Sequence, residues 1–168
     1  ASEEILAGIA KRAKKLKVER GIVPGLAAVL VGEDEASQMY VGMKRRGAEQ
    51  AGFYGTVKEM PASSSTEEVI AEIRALNADK RIHGILVQLP LPKGVDRRAV
   101  LESIAPEKDV DGLTATSLGA IAARQAGKAF VPATAAGVME LLKRAGIGLR
   151  GKNACVIGEG VQTGRPIA

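Results

Sequence analysis

The chain has 168 residues, 46% of them apolar, with a formal net charge of +5, two tyrosines, two phenylalanines, no tryptophan, one cysteine and one histidine. That supports one substantial core and part of another, built from Ala, Val, Leu and Ile. It excludes an internal disulfide, leaves a conventional zinc site short of ligands, and contains no run near the ~20 apolar residues of a membrane span. No signal-peptide pattern opens the sequence, so the cytoplasm is the expected compartment, with an organelle open if a targeting segment was removed.

Much of the positive charge sits in Lys11, Arg12, Lys14, Lys15, Lys17 and Arg20. These alternate with Ile5, Leu6, Ile9, Ala13 and Leu16 at helical spacing, which predicts an amphipathic helix with a solvated basic face. Nucleic acid is the weaker reading, because no aromatic interleaves the basic residues to make a stacking platform.

Gly21 and Pro24 break that helix, and Leu26-Ala-Ala-Val-Leu-Val-Gly32 predicts a buried strand. The stretch that follows, from Ala36 to Ala51, carries Ala36, Met39, Tyr40 and Met43 at helical spacing and should end near Gly52. Tyr40 and Lys44, four residues apart, share a helix face, so a phenol and an ammonium can point into one pocket. In open α/β sheets ligands bind outside the carboxyl ends of the strands, which is where this helix starts. General acid or base work near neutrality requires a lysine pKa lowered from ~10.4 toward ~7 to 8. Arg45 and Arg46 turn away by about 100° and 200° and belong in solvent. The plainer alternative has Tyr40 on the core and Lys44 on a solvated edge.

A short strand, 56–60, precedes the polar run Ser63 to Thr66. Ser65 and Glu68 have the spacing of a capping box, opening a helix with the stripe Val69, Ile70, Ile73 and Leu76. His83-Gly-Ile-Leu-Val-Gln-Leu89 predicts a second buried strand, opened by a histidine whose expected role is structural. Pro90 cannot donate to a ladder and restricts its predecessor, so the strand stops and leaves Gln88 at its carboxyl end. If the two strands are neighbours, Gln88 lies beside the Tyr40/Lys44 helix and can bond Lys44 without adding charge; alone, it is equally a surface amide. Strands alternating with helices predict βαβ units, right-handed crossovers and a parallel sheet.

Ala105-Pro-Glu-Lys-Asp-Val-Asp-Gly112 offers two carboxylates, Asp109 and Asp111. Without histidine they make a poor transition-metal site, so a polar-ligand contact or a solvated acidic turn are the readings, and no metal is expected. In Val131-Pro-Ala-Thr-Ala-Ala-Gly137, Thr134 can cap a helix over 135–145 that closes at Gly146. Gly151-Lys-Asn-Ala-Cys-Val-Ile-Gly-Glu-Gly-Val-Gln-Thr-Gly164 has the order strand, glycine turn, helix start. That order suits a dinucleotide pyrophosphate, with Gly158, Gly160 and Gly164 allowing close backbone approach, although the spacing is G-x-G-x-x-x-G. Cys155, inside the apolar run, is expected to be a small buried hydrophobe.

Tyr40-Val-Gly-Met-Lys44, Gly84-Ile-Leu-Val-Gln-Leu-Pro-Leu-Pro92 and Lys108-Asp-Val-Asp-Gly112, in this order and at these separations, resemble the bifunctional methylenetetrahydrofolate dehydrogenase/cyclohydrolase family. The resemblance covers nearly the whole chain. It implies an α/β fold: a parallel-sheet, three-layer folate-binding catalytic domain at 1–146, then the start of a Rossmann-like NAD(P)-binding domain at 147–168. It implies oxidation of methylenetetrahydrofolate with NADP, then hydrolysis of the methenyl product to formyltetrahydrofolate. In that pattern Lys44 is the catalytic residue of hydrolysis, Tyr40 lines the folate site, and Gln88 tunes the lysine, with Leu89 and Pro90 beside it. Asp111 holds the pterin-like ring. Thr134, Gly158, Glu159, Gly160 and Gly164 fall to the cofactor, and the family implies a homodimer.

The match departs in three places. Ala133 and Ala135 stand where the family has a cysteine and a second proline. Glu159 stands where an arginine is usual, and a carboxylate there repels the 2′-phosphate of NADP, so NADP stays the expected cofactor with weakened binding, or the preference shifts toward NAD. Third, a full nucleotide-binding sheet cannot be built from the residues up to Ala168, so hydride transfer is not expected of this stretch alone. Two other readings stay open: a non-catalytic folate-binding or interaction module, and a short-chain-type reductase. The latter shares Tyr-x-x-x-Lys, but no glycine-rich nucleotide turn precedes Tyr40.

Overall fold

The computed structural model describes residues 2–125, 127 and 129–168. The chain forms two compact units, Ala1–Lys108 and Asp109–Ala168.

The first unit holds α1 (Ser2–Arg20), β1 (Gly25–Val31), α2 (Glu35–Gln50), β2 (Tyr54–Met60), α3 (Thr66–Ala78), β3 (Gly84–Val87) and α4 (Arg97–Glu102). The three strands make one parallel sheet in the order β2-β1-β3. Every residue of β3 is buried and β1 is buried at all but Leu26, the continuous apolar run expected of parallel strands covered on both faces. Helix α3 closes the core with Val69, Ile73 and Leu76. Its start carries both halves of the capping box: the Glu68 N–H donates to Ser65 Oγ (3.2 Å), and the Ser65 N–H to Glu68 Oε2 (2.7 Å). Helix α2 stops at a left-handed Gly52 (φ 74°), where the Phe53 N–H returns to the Ala48 carbonyl at 2.9 Å.

His83 has the structural role expected of it. Its Nδ1 accepts the Gly25 N–H at 3.0 Å, while its own N–H donates to the Gly25 carbonyl at 2.8 Å. Gly25 has to be glycine, since a Cβ there would lie 1.8 Å from the Arg81 carbonyl oxygen.

In two helices burial departs from the face that their apolar spacing marks out. The face of α1 buries only Ala13, leaving Ile5 and Leu16 exposed. In α2 the stripe Ala36, Met39, Tyr40 and Met43 is the exposed face, and the helix instead buries Ser37, Val41 and Ala48. Small and branched side chains let α2 lie close to the sheet, so the long apolar ones turn outward.

The second unit holds α5 (Ala115–Ala122), α6 (Ala133–Arg144) and α7 (Gly164–Ile167). Here the expected strand before the glycine turn does not form: residues 151–160 are exposed, and Ile157 is 98% exposed. A strand needs a partner ladder, and none of the described residues pairs with this run. For the same reason Cys155 is exposed rather than buried. Thr134 does not cap α6 either. Pro132 takes the N-cap position with no side-chain hydrogen bond, leaving Thr134 exposed in the first turn.

Candidate active site

In the first unit the two sequence motifs 44 residues apart meet. Helix α2 is launched by Asp34, whose Oδ2 accepts the Ser37 N–H at 2.8 Å; hydrogen bonding from Ser37, side chain before backbone, holds that carboxyl below its ordinary range. Ser37, Val41, Lys44 and Ala48 follow at the spacing of one helix face, which turns Lys44 inward as a half-buried side chain. Across the sheet, Val87 pairs with Val29, and the Gln88 N–H donates to the Val29 carbonyl at 2.9 Å. The chain then leaves the sheet through a cis Leu89–Pro90 peptide. Gln88 is thus fixed at the carboxyl end of β3, and Lys44 Nζ donates to its Oε1 at 3.2 Å.

The amide has a defined orientation. Gln88 Nε2 donates to the Leu89 carbonyl at 2.8 Å, so the oxygen faces the lysine and the nitrogen cannot. This lock was not legible in the sequence, which signalled only that Gln88 could reach Lys44. Tyr40, one turn before Lys44, is 52% exposed with its ring outside the core. Leu89 is half-buried, Pro90 is exposed, and Arg45 turns outward to an exposed ion pair with Glu49 at 3.6 Å.

Lys108, also in this unit, donates from Nζ to the carbonyls of Leu76 (3.2 Å), Asn77 (2.7 Å) and Asp79 (3.0 Å). An ammonium there satisfies orphan carbonyls at the end of α3 and complements its dipole.

In the second unit, the two carboxylates of the Asp-Val-Asp-Gly turn have different surroundings. Asp109 is buried, while Asp111 is half-buried. The Gly112 N–H donates to the Asp109 carbonyl at 3.1 Å, closing the turn. Gly112 is left-handed (φ 67°) and packs where a Cβ would lie 2.6 Å from the Phe130 carbonyl oxygen and 2.8 Å from the Pro132 nitrogen. The Asp111 turn and the segment leading to Thr134 therefore touch. Further on, a Cβ at Gly164 would meet the Gly158 carbonyl oxygen at 2.0 Å, whereas Gly158 (φ 119°) and Gly160 face open space. The Thr163 and Arg165 N–H groups both donate to the Gly160 carbonyl. That glycine turn opens α7, and Glu159 is exposed at its tip. Among the described residues no group of three or more His, Cys, Asp or Glu side chains could hold a metal ion, and no helix is long and apolar enough to cross a membrane.

A lysine–amide pair at the carboxyl end of a parallel sheet, in a chain that also carries a glycine turn at a helix start, defines a protein of the α/β class. Residues 1–111 match the family model described as tetrahydrofolate dehydrogenase/cyclohydrolase, catalytic domain, and residues 132–168 match the NAD(P)-binding domain of the same family. The chain belongs to the tetrahydrofolate dehydrogenase/cyclohydrolase family. It is 46% identical over 166 residues to the bifunctional protein FolD of Bacillus cereus (strain B4264), covering 99% of this chain and 57% of that protein. Two solved structures are also similar. The bifunctional FolD enzyme of Campylobacter jejuni superposes with a TM-score of 0.96 at 40% identity, over 99% of this chain and 58% of that one. The Trypanosoma brucei methylenetetrahydrofolate dehydrogenase-cyclohydrolase, solved with NADP cofactor and an inhibitor, gives 0.95 at 37%, over 99% and 57%. The chain spans somewhat over half the length of these relatives.

Proposed function

We propose that this chain carries the site of a one-carbon folate enzyme that oxidises methylenetetrahydrofolate with NADP and hydrolyses the methenyl product to formyltetrahydrofolate. The observation that carries this reading is the half-buried Lys44 Nζ held 3.2 Å from the oriented oxygen of Gln88. Methenyl cation plus water gives formyltetrahydrofolate plus one proton. As water adds to the methenyl carbon, its proton passes to the Lys44 amine. As the carbon–nitrogen bond opposite breaks, Lys44 returns a proton to the departing nitrogen, and the surplus proton leaves to solvent. Gln88 holds the amine in place without contributing charge, which would otherwise compete with the cationic substrate for it.

Tyr40 is the wall of the folate site, with Leu89 and Pro90 beside the amide. Asp111, an acceptor-only side chain, takes N–H groups from the amino-pyrimidine edge of the pterin-like ring. The dinucleotide fits the glycine turn: Gly158 and Gly160 leave room for a pyrophosphate against the backbone, and Thr134 and Glu159 are exposed for cofactor contacts. When bound, the nicotinamide supplies the hydride acceptor for the methylene carbon. The folate domain extends to about residue 146 in this reading, with the NAD(P)-binding domain beginning after it. The cytoplasm and a homodimer, the state the family resemblance implies, complete it.

The test is the absorbance decay of methenyltetrahydrofolate. Lys44→Ala is expected to remove enzymatic hydrolysis while folate binding persists. Retained hydrolysis in that variant would overturn the assignment of Lys44.

A further inference from the structure

The Asp-Val-Asp-Gly turn contains a carboxylate that cannot reach a ligand. Asp109 is 1% exposed and its carboxylate oxygens are occupied from within the chain. Oδ1 accepts the Leu113 N–H at 3.1 Å; Oδ2 accepts the Thr114 N–H at 2.9 Å and the Ser117 hydroxyl at 2.7 Å. The hydroxyls form a directed chain, Thr114 Oγ1 donating to Ser117 Oγ at 3.2 Å and Ser117 Oγ donating onward to Asp109. Thr114 also caps α5, its Oγ1 accepting the Ser117 N–H at 3.2 Å. Thr114 and Ser117 are 2% and 0% exposed. Backbone N–H groups, the Ser117 hydroxyl and the start of α5 offset the charge.

One consequence is geometric. Asp109 binds the chain on the far side of its own turn, at residues 113 and 114, while its carbonyl accepts the Gly112 N–H. Val110 and Asp111 are the residues spanned by this closure, with Gly112 wedged against the Phe130 carbonyl. The backbone under Asp111 thus has little freedom left before any ligand arrives.

We propose that Asp109, acting through Ser117 and the Thr114 N–H, is the positioning residue that pre-organises the Asp111 carboxylate for the folate ring. This rests on the reading of Asp111 as the ring's acceptor. A held acceptor avoids the ordering cost on binding, so loosening it weakens ground-state and transition-state binding alike and leaves the proton transfers at Lys44 untouched. In Asp109→Asn, whichever way the amide turns, an N–H faces the N–H of Leu113 or Thr114. Ser117→Ala removes one donor without creating a clash.

The experiment is steady-state hydrolysis of methenyltetrahydrofolate by the full chain and the variants Asp109→Asn, Ser117→Ala and Asp111→Ala, with thermal unfolding of each. KM is expected to rise about tenfold in Asp109→Asn and about threefold in Ser117→Ala, with kcat within about twofold of the parent. Ser117→Ala supplies the answer if Asp109→Asn does not fold. A purely structural role would lower the unfolding temperature and the active fraction at constant KM, and that result in folded variants overturns the proposal. If Asp111→Ala raises KM while the other two do not, this inference alone fails. If Asp111→Ala leaves KM unchanged, or the parent chain does not hydrolyse the substrate, the reading of the site fails and takes the inference with it.

Discussion

Glu159 is a single exposed carboxylate in the glycine turn, and its sign opposes the cofactor that the family implies. Two unit charges about 4 Å apart interact by ~1 kcal/mol in water, and by more where solvent is partly excluded. Reversing the sign at that distance therefore changes affinity by roughly tenfold or more at low salt, and by less as ionic strength rises. Glu159→Arg is expected to tighten NADP binding by that factor while leaving NAD nearly unchanged, because only NADP carries a phosphate on the ribose 2′ position. Dissociation constants for both cofactors at two salt concentrations check this. An unchanged NADP constant would remove Glu159 from the cofactor site. Lys44 shows the complementary lesson: its partner Gln88 lies 44 residues away, and only the extended β3 and its exit at Pro90 bring the amide to it.

At the level of elements, what the sequence stated locally was legible. Ser65 and Glu68 form the reciprocal cap their spacing predicts, and Ser65→Ala is expected to cost about 1 kcal/mol, read from the urea midpoint at unchanged slope. A cost near zero would mean the cap is replaced by solvent. Gly52 ends α2 because its left-handed conformation suits glycine. Features set by the neighbour were not legible. Met39, Tyr40 and Met43 have helical spacing, yet helix packing chose the face with Ser37, Val41 and Ala48. The run at 152–157 has strand composition but no ladder, so Cys155 is exposed. In the Asp-Val-Asp-Gly motif the residue types were visible, but which carboxylate is buried depends on Ser117, eight positions away. The spacing Thr114-x-x-Ser117 was the available signal: Thr114 caps α5, and the Ser117 hydroxyl donates to the Asp109 carboxylate.

Across the whole molecule, the buried apolar side chains are unevenly shared. Val29, Val69, Ile73, Ile82, Ile85, Leu86, Val87 and Val100 all lie in the first unit. Among the described residues of the second, Pro132 and Ala135 are comparably buried, while Leu141, Ile147 and Ile157 are exposed. Burial is the main favourable contribution to folding, so the first unit, which holds Lys44 and Gln88, gains more from it than the second. The second unit depends more on hydrogen-bonded turns such as the one closed by Asp109. This asymmetry makes a paired prediction. Ile85 is fully buried in β3, so Ile85→Ala leaves a cavity in the sheet's packing and should cost about 2–5 kcal/mol. Ile157 is 98% exposed, so Ile157→Ala should stay within about 0.5 kcal/mol of the parent. Urea unfolding of both variants, followed by circular dichroism, gives the comparison. A cost at Ile157 approaching that at Ile85 would mean that the 152–157 run is packed in solution, and the division of stability between the two units would have to be redrawn.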